Sequence, residues 1–155
     1  MKRIALFAAA LAAVLFLGKS KDRTDIAKLK PVEVVRVSCI ENQVRLETDT
    51  QNIGKGNNIR EAVADLEKTA AGMIFLDTAD FLLIGAGGEG YVLQLKDFLR
   101  PGCLICQEYG TEDLQKAAAY LRIHKPDLTL LEYEAGEKTI PILITEEERM
   151  ELVQT

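Results

Sequence analysis

The chain has 155 residues, 48% of them hydrophobic and 28% charged, which is the make-up of one folded domain and excludes a disordered chain. Its net charge of −5 argues against nucleic acid as a partner, because holding a polyanion takes a clustered cationic face that releases counterions. With no Trp and 6% aromatic residues, base stacking is disfavoured as well.

Met1-Lys2-Arg3 precedes "IALFAAALAAVLFLG", an unbroken apolar run from Ile4 to Gly18, and Lys19, Lys21 and Arg23 follow it. A charged start and an apolar segment of this length read as an export signal, since the shortest membrane-spanning helices need about 17 apolar residues. Gly18 and Ser20 are small enough to flank a cleavage site after Ser20. Uncleaved, the same segment is an anchor, with its flanking lysines snorkelling to the interface. Residues 1–20 are therefore expected to be a signal peptide or membrane anchor, with the rest of the chain outside the cytoplasm. Residues 21–31 are a charged tether ending at Pro31, residues 32–145 a single α/β domain, and residues 146–155 an acidic tail.

In "VEVVRVSCIENQVRLETDT", Val35, Val37 and Cys39 alternate with Arg36 and Ser38, and Val44 and Leu46 alternate with Arg45 and Glu47. Two period-2 runs around Glu41-Asn42-Gln43 predict a β-hairpin with one wet face. "QNIGKGNN" reads as a loop in which Asn57 or Asn58 caps the next helix. Ile59, Val63, Leu66 and Ala70 then fall on one helical stripe, and Gly72 is placed to end the helix in a left-handed conformation. "MIFLDTADFLLIG" predicts one apolar strand with a bulge or kink at Asp77-Thr78-Ala79-Asp80.

After Ile84 come Gly85, Gly87 and Gly90, which satisfy G-x-G-x-x-G, and Tyr91, Val92, Leu95, Phe98 and Leu99 follow at helical spacing. Such a loop can cradle a phosphate at a helix start. Here it follows two antiparallel strands and a helix, not the first strand of its unit, and Glu108 about 20 residues on is poorly set to hold a ribose. A plain turn is the better reading. "CLICQEY" predicts a buried strand, and Thr111 a cap for the helix "EDLQKAAAYLRIH", which Pro126 stops. "DLTLLEYEAGEKTIPILI" suggests a second hairpin turning at Ala135-Gly136.

Cys103 and Cys106 form C-x-x-C, a redox or metal signature. On a strand, however, their Cα atoms stand roughly 10 Å apart and their side chains point to opposite faces. A disulfide needs Cα atoms within about 7 Å. For a metal, Cys39 and His124 are the only other obvious soft donors, and His124 sits where a helix C-terminus would use it. No cofactor, metal or catalytic residue is expected, and an extracytoplasmic thiol oxidoreductase using Cys103 and Cys106 is the competing reading.

The order β-β-α-β-α-β-α-β-β implies an α/β (α+β) fold, a mixed β-sheet covered by about three helices. In this order the chain resembles the N-terminal domain of the Ger(x)C family, the C subunits of spore germinant receptors. The resemblance rests on Gly56 before Glu61-Ala62, on Ile84-Gly85, on Phe98-Leu99-Arg100 and on Gly110, and spans roughly residues 30–122. It departs from the family in having no lipobox cysteine near residues 14–21 and in carrying Thr78 and Ala79 where family members often have a His. The resemblance implies a non-catalytic protein-interaction module that assembles with other proteins at the spore inner membrane. Candidate contact surfaces are Arg36, Arg45 and Glu47 on the hairpin's polar face, and the loop from Asp77 to Asp80.

Overall fold

The computed structural model describes residues 29–136, 139–146 and 149–154. The apolar run 4–18 and most of the charged tether lie outside these residues. At the tether's end, β1 (Leu29–Pro31) already pairs in parallel with β5 (Met73–Phe75) as a two-stranded sheet.

A seven-stranded mixed sheet forms the centre. Its strands are β2 (Val34–Ile40), β3 (Gln43–Thr48), β4 (Ile53–Gly56), β6 (Phe81–Ile84), β7 (Leu104–Tyr109), β8 (Ile142–Glu146) and β9 (Arg149–Val153), in the order β4-β3-β2-β6-β7-β8-β9. β2, β6, β7 and β8 run parallel, and antiparallel pairs close both margins. The predicted hairpin is present as β2 and β3. Its turn residues Glu41 and Asn42 both have positive φ, 52° and 63°, the geometry that matches the right-handed twist of the flanking strands.

The pleat divides the core in two. Val35, Val37, Val44, Leu46, Leu82, Ile84 and Ile105 point to one face, where α1 (Ile59–Thr69), a 3₁₀ helix (Glu89–Asp97) and α3 (Leu130–Ala135) cover them. Val34, Phe81, Leu83, Cys106 and Leu143 point to the other, where among the described residues α2 (Leu114–Ile123) covers them through Leu114, Ala117, Ala118 and Leu121. Asn58 caps α1 by accepting from the Glu61 amide at 2.9 Å. The Glu61 carboxylate in turn accepts from the Asn57 amide, and that bond holds its pKa below the usual value.

Several sequence expectations are corrected. "QNIGKGNN" contains strand β4. α1 ends at Ala70 in an extended conformation, not at a left-handed Gly72. "MIFLDTADFLLIG" is not one bulged strand: β5 and β6 belong to different sheets, separated by a 3₁₀ turn (Leu76–Thr78). The Thr78 hydroxyl forces that break by accepting from the Val32 amide at 3.1 Å and donating to the Phe75 carbonyl at 2.7 Å. The segment after the glycine loop is a 3₁₀ helix.

The cap of α2 is Asp113, whose carboxylate accepts from the amides of Gln115 and Lys116 at 2.9 and 3.2 Å; Thr111 is buried and meets Thr145 instead. No hairpin turns at Gly136. Thr129 and Glu132 make a reciprocal capping box that starts α3, and Gly136 ends it at φ 72°. The residues expected as a tail supply β9, which pairs with β8, so the folded unit reaches Val153.

Candidate functional site

Strand register builds a polar cluster on the face that α2 only partly covers. Arg36 stands opposite Glu47, and Ser38 opposite Arg45, so two guanidiniums and a carboxylate share one side of the hairpin. β7 brings Glu108 to the same side. The Arg36 Nε donates to Glu47 Oε2 at 2.7 Å and Nη1 to the Thr111 carbonyl at 2.5 Å, with Glu108 Oε1 at 3.4 Å. Arg45 Nη2 donates to the other Glu47 oxygen at 2.5 Å, and Glu108 Oε2 accepts from the Thr111 amide at 3.1 Å.

The side chains of Arg36, Glu47 and Glu108 are only 16%, 12% and 9% exposed, whereas that of Arg45 is 34% exposed. Both carboxylates are thus held from two sides, and two positive charges answer two negative ones. Groups so locked make a rigid floor. Clefts of about 320 and 240 Å³ flank Arg36, one running to Asp49 and Gln115, the other to Ser38, Ile40 and Ala86. Ile40, at the end of β2, is 54% exposed beside the second cleft.

Close packing explains Gly85 and Gly88 of the glycine stretch, whereas a Cβ on Gly90, the last glycine of G-x-G-x-x-G, would meet nothing within 4 Å. A Cβ on Gly85 would sit 3.1 Å from Glu108 Oε1 and 3.3 Å from the Ser38 Cβ. Gly88 approaches the Val37 carbonyl so closely that a Cβ would lie 2.3 Å from it. The loop's backbone continues the β2–β6 pairing, the Gly85 amide donating to the Val37 carbonyl and the Cys39 amide to the Ala86 carbonyl at 2.9 and 2.8 Å. Gly87 reverses the chain at φ 68°.

The other expected site residues lie apart. Asp77 is exposed in the 3₁₀ turn, and Asp80 pairs with Arg100 just before β6, both side chains 47% exposed. This pair stands toward the opposite end of the strands from Ile40 and does not join the Arg36 cluster. Cys103 and Cys106 are buried and unbridged, one in each of the two core clusters, and burial pushes both thiols up to about 12. His124 caps the C-terminus of α2, its ring stacked on Tyr120 with centroids 4.4 Å apart.

Sequence reasoning found Arg36, Arg45 and Glu47 but not their completion by Glu108 and Thr111. The only signal was Glu108's position in a strand, and parallel pairing partners are not written locally. Among the described residues no helix is long and apolar enough to cross a membrane, and no three His, Cys, Asp or Glu side chains gather as a metal site. No family model, curated protein or solved structure matches the chain.

Proposed function

We propose that this chain is a non-catalytic α/β module, held at the extracytoplasmic face of a membrane by residues 4–18, that contacts other proteins of a spore germination or sporulation assembly. The resemblance to the N-terminal domain of germinant receptor C subunits supplies the assembly. One observation carries the recognition role: the hairpin's polar face is a preorganised lattice of Arg36, Arg45, Glu47 and Glu108, with Ile40 standing exposed at its rim. A fixed guanidinium–carboxylate floor beside an exposed apolar side chain suits protein recognition, because little side-chain freedom is lost on docking.

The test is co-purification from detergent-solubilised spore membranes. The parent chain should bring down germinant receptor subunits, and Ile40→Asp combined with Arg45→Glu should release them while leaving the chain folded. Recovery of no germination subunit by the parent chain would refute the reading.

A further inference from the structure

The sheet's two edges are finished differently. At β4, α1 takes two of the outward backbone groups: the Lys55 amide donates to Asp65 Oδ2 at 2.9 Å, and the Ile53 carbonyl accepts from the Thr69 hydroxyl at 3.0 Å. A strand adding there would have to displace both. At β9, the Leu152 amide donates to the Tyr120 hydroxyl at 3.2 Å, which shows that Leu152 turns its backbone away from β8. Strand alternation then turns the amide and carbonyl of Met150 outward too. Among the described residues nothing takes either group.

We propose that β9 is a self-pairing edge, on which a second copy of this chain adds antiparallel to join two seven-stranded sheets into one. The inference stands apart from the function proposed above. An isologous two-fold contact puts one residue of β9 opposite itself, and three centres pair the outward groups of Met150 and Leu152 with one another. A centre at Leu152 needs the amide that Tyr120 already holds. A centre at Glu151 needs it too, and sets two carboxylates face to face. A centre at Met150 exchanges two free N–H···O bonds between the Met150 residues and places Arg149 of each copy opposite Glu151 of the other. Both of these side chains are exposed, and on the reverse face Met150 already packs with Leu152 and Tyr120 on the second core cluster. Charge complementarity therefore selects both the partner and the register.

The experiment uses the full chain in mild detergent, with Met150→Cys in a Cys39→Ser background and diamide as oxidant. Opposed residues of a hydrogen-bonded pair have Cα atoms about 5.5 Å apart, within disulfide reach. A covalent dimer should form. Arg149→Glu and Glu151→Arg should each lower its yield at least about fivefold, a loss of roughly 1 kcal/mol, and the charge-exchanged double variant should restore it. Restoration also shows that the single variants did not merely unfold. Absence of the dimer, or a dimer indifferent to these charges because two chains only share a micelle, would overturn the proposal.

Discussion

Replacing Arg36 by Met tests whether the polar cluster is a structural floor or a loose surface network. Methionine keeps the length of the stem but removes the guanidinium, which makes bonds to Glu47, to the Thr111 carbonyl and to Glu108. Breaking one partner out of a buried ion pair costs about 3–5 kcal/mol, because the remaining charge is left without compensation. Here Glu47 keeps Arg45 and Glu108 keeps the Thr111 amide, which puts the loss at the low end, about 3 kcal/mol. For a chain of this size that lowers Tm by about 6–12 °C. Arg45→Met removes a single, more exposed ion pair and should cost no more than about 1 kcal/mol. Thermal melts of the two variants followed by circular dichroism make the comparison. Equal losses, or an Arg36→Met melt within about 2 °C of the parent, would refute the claim that Arg36 is the cluster's centre.

Gly54→Ala should be more damaging than a change of one methyl suggests, because its Cβ would lie 2.1 Å from the Ala62 carbonyl and 2.6 Å from Leu66; a loss of at least about 3 kcal/mol by chemical denaturation is expected. Cys103 and Cys106 should resist alkylation at neutral pH in the native chain, with half-buried Cys39 reacting first and all three reacting in denaturant, as counted by mass spectrometry. The same thiols make stability fall at high pH. Both ionise in the unfolded chain near 9 but hold their protons to about 12 when folded, so their contribution is complete below 9 and is lost as pH rises from 9 to about 12. The slope is at most about 1.4 kcal/mol per pH unit for each thiol, and Cys103→Ala should flatten it in denaturant titrations. Asp113→Ala should destabilise α2 by about 1 kcal/mol, measured as a shift in the denaturation midpoint, because its carboxylate holds two amides of the first turn.

What could be read from the residues was whatever one element records by itself. The alternation of Val35, Arg36, Val37 and Ser38 and the stripe of Ile59, Val63 and Leu66 each describe a single surface, and the first hairpin and α1 follow from them. The opposite facing of Cys103 and Cys106 follows from the same two-residue period. The errors arose where a polar residue serves a distant strand. Thr78 looks like a bulge in one strand, but its hydroxyl reaches the backbone of Val32, 46 residues away, and so divides that strand between two sheets. Thr111 has the chemistry of a cap and lies two residues before the true one, held by Glu108 and Thr145. The candidate site was half visible for the same reason: Arg36 and Glu47 face each other across a local turn, whereas Glu108 arrives by parallel pairing through β6.

β4 shows how packing reverses a sequence signal. Two glycines in four residues, Gly54 and Gly56, lower strand propensity and pointed to a loop. They form a strand because α1 lies directly on it: a Cβ at Gly56 would come within 2.4 Å of the Glu61 Cβ and 2.5 Å of the Ala62 amide nitrogen. That close approach is also what lets Asp65 and Thr69 reach the outer backbone groups of β4 and shut the edge. β9, with Arg149, Met150 and Glu151 in place of glycines, has no helix among the described residues drawn down over its Met150 end. Glycine content thus separates a margin sealed within the chain from one left for a partner. Moving α1 away from β4 with a bulky residue at Gly54 should therefore do more than destabilise: it should expose a second pairing edge, and the Gly54→Val chain should form higher oligomers in which β4 is protected from amide exchange. Monomeric Gly54→Val with an exchanging β4 would show that α1 is not what keeps this edge closed.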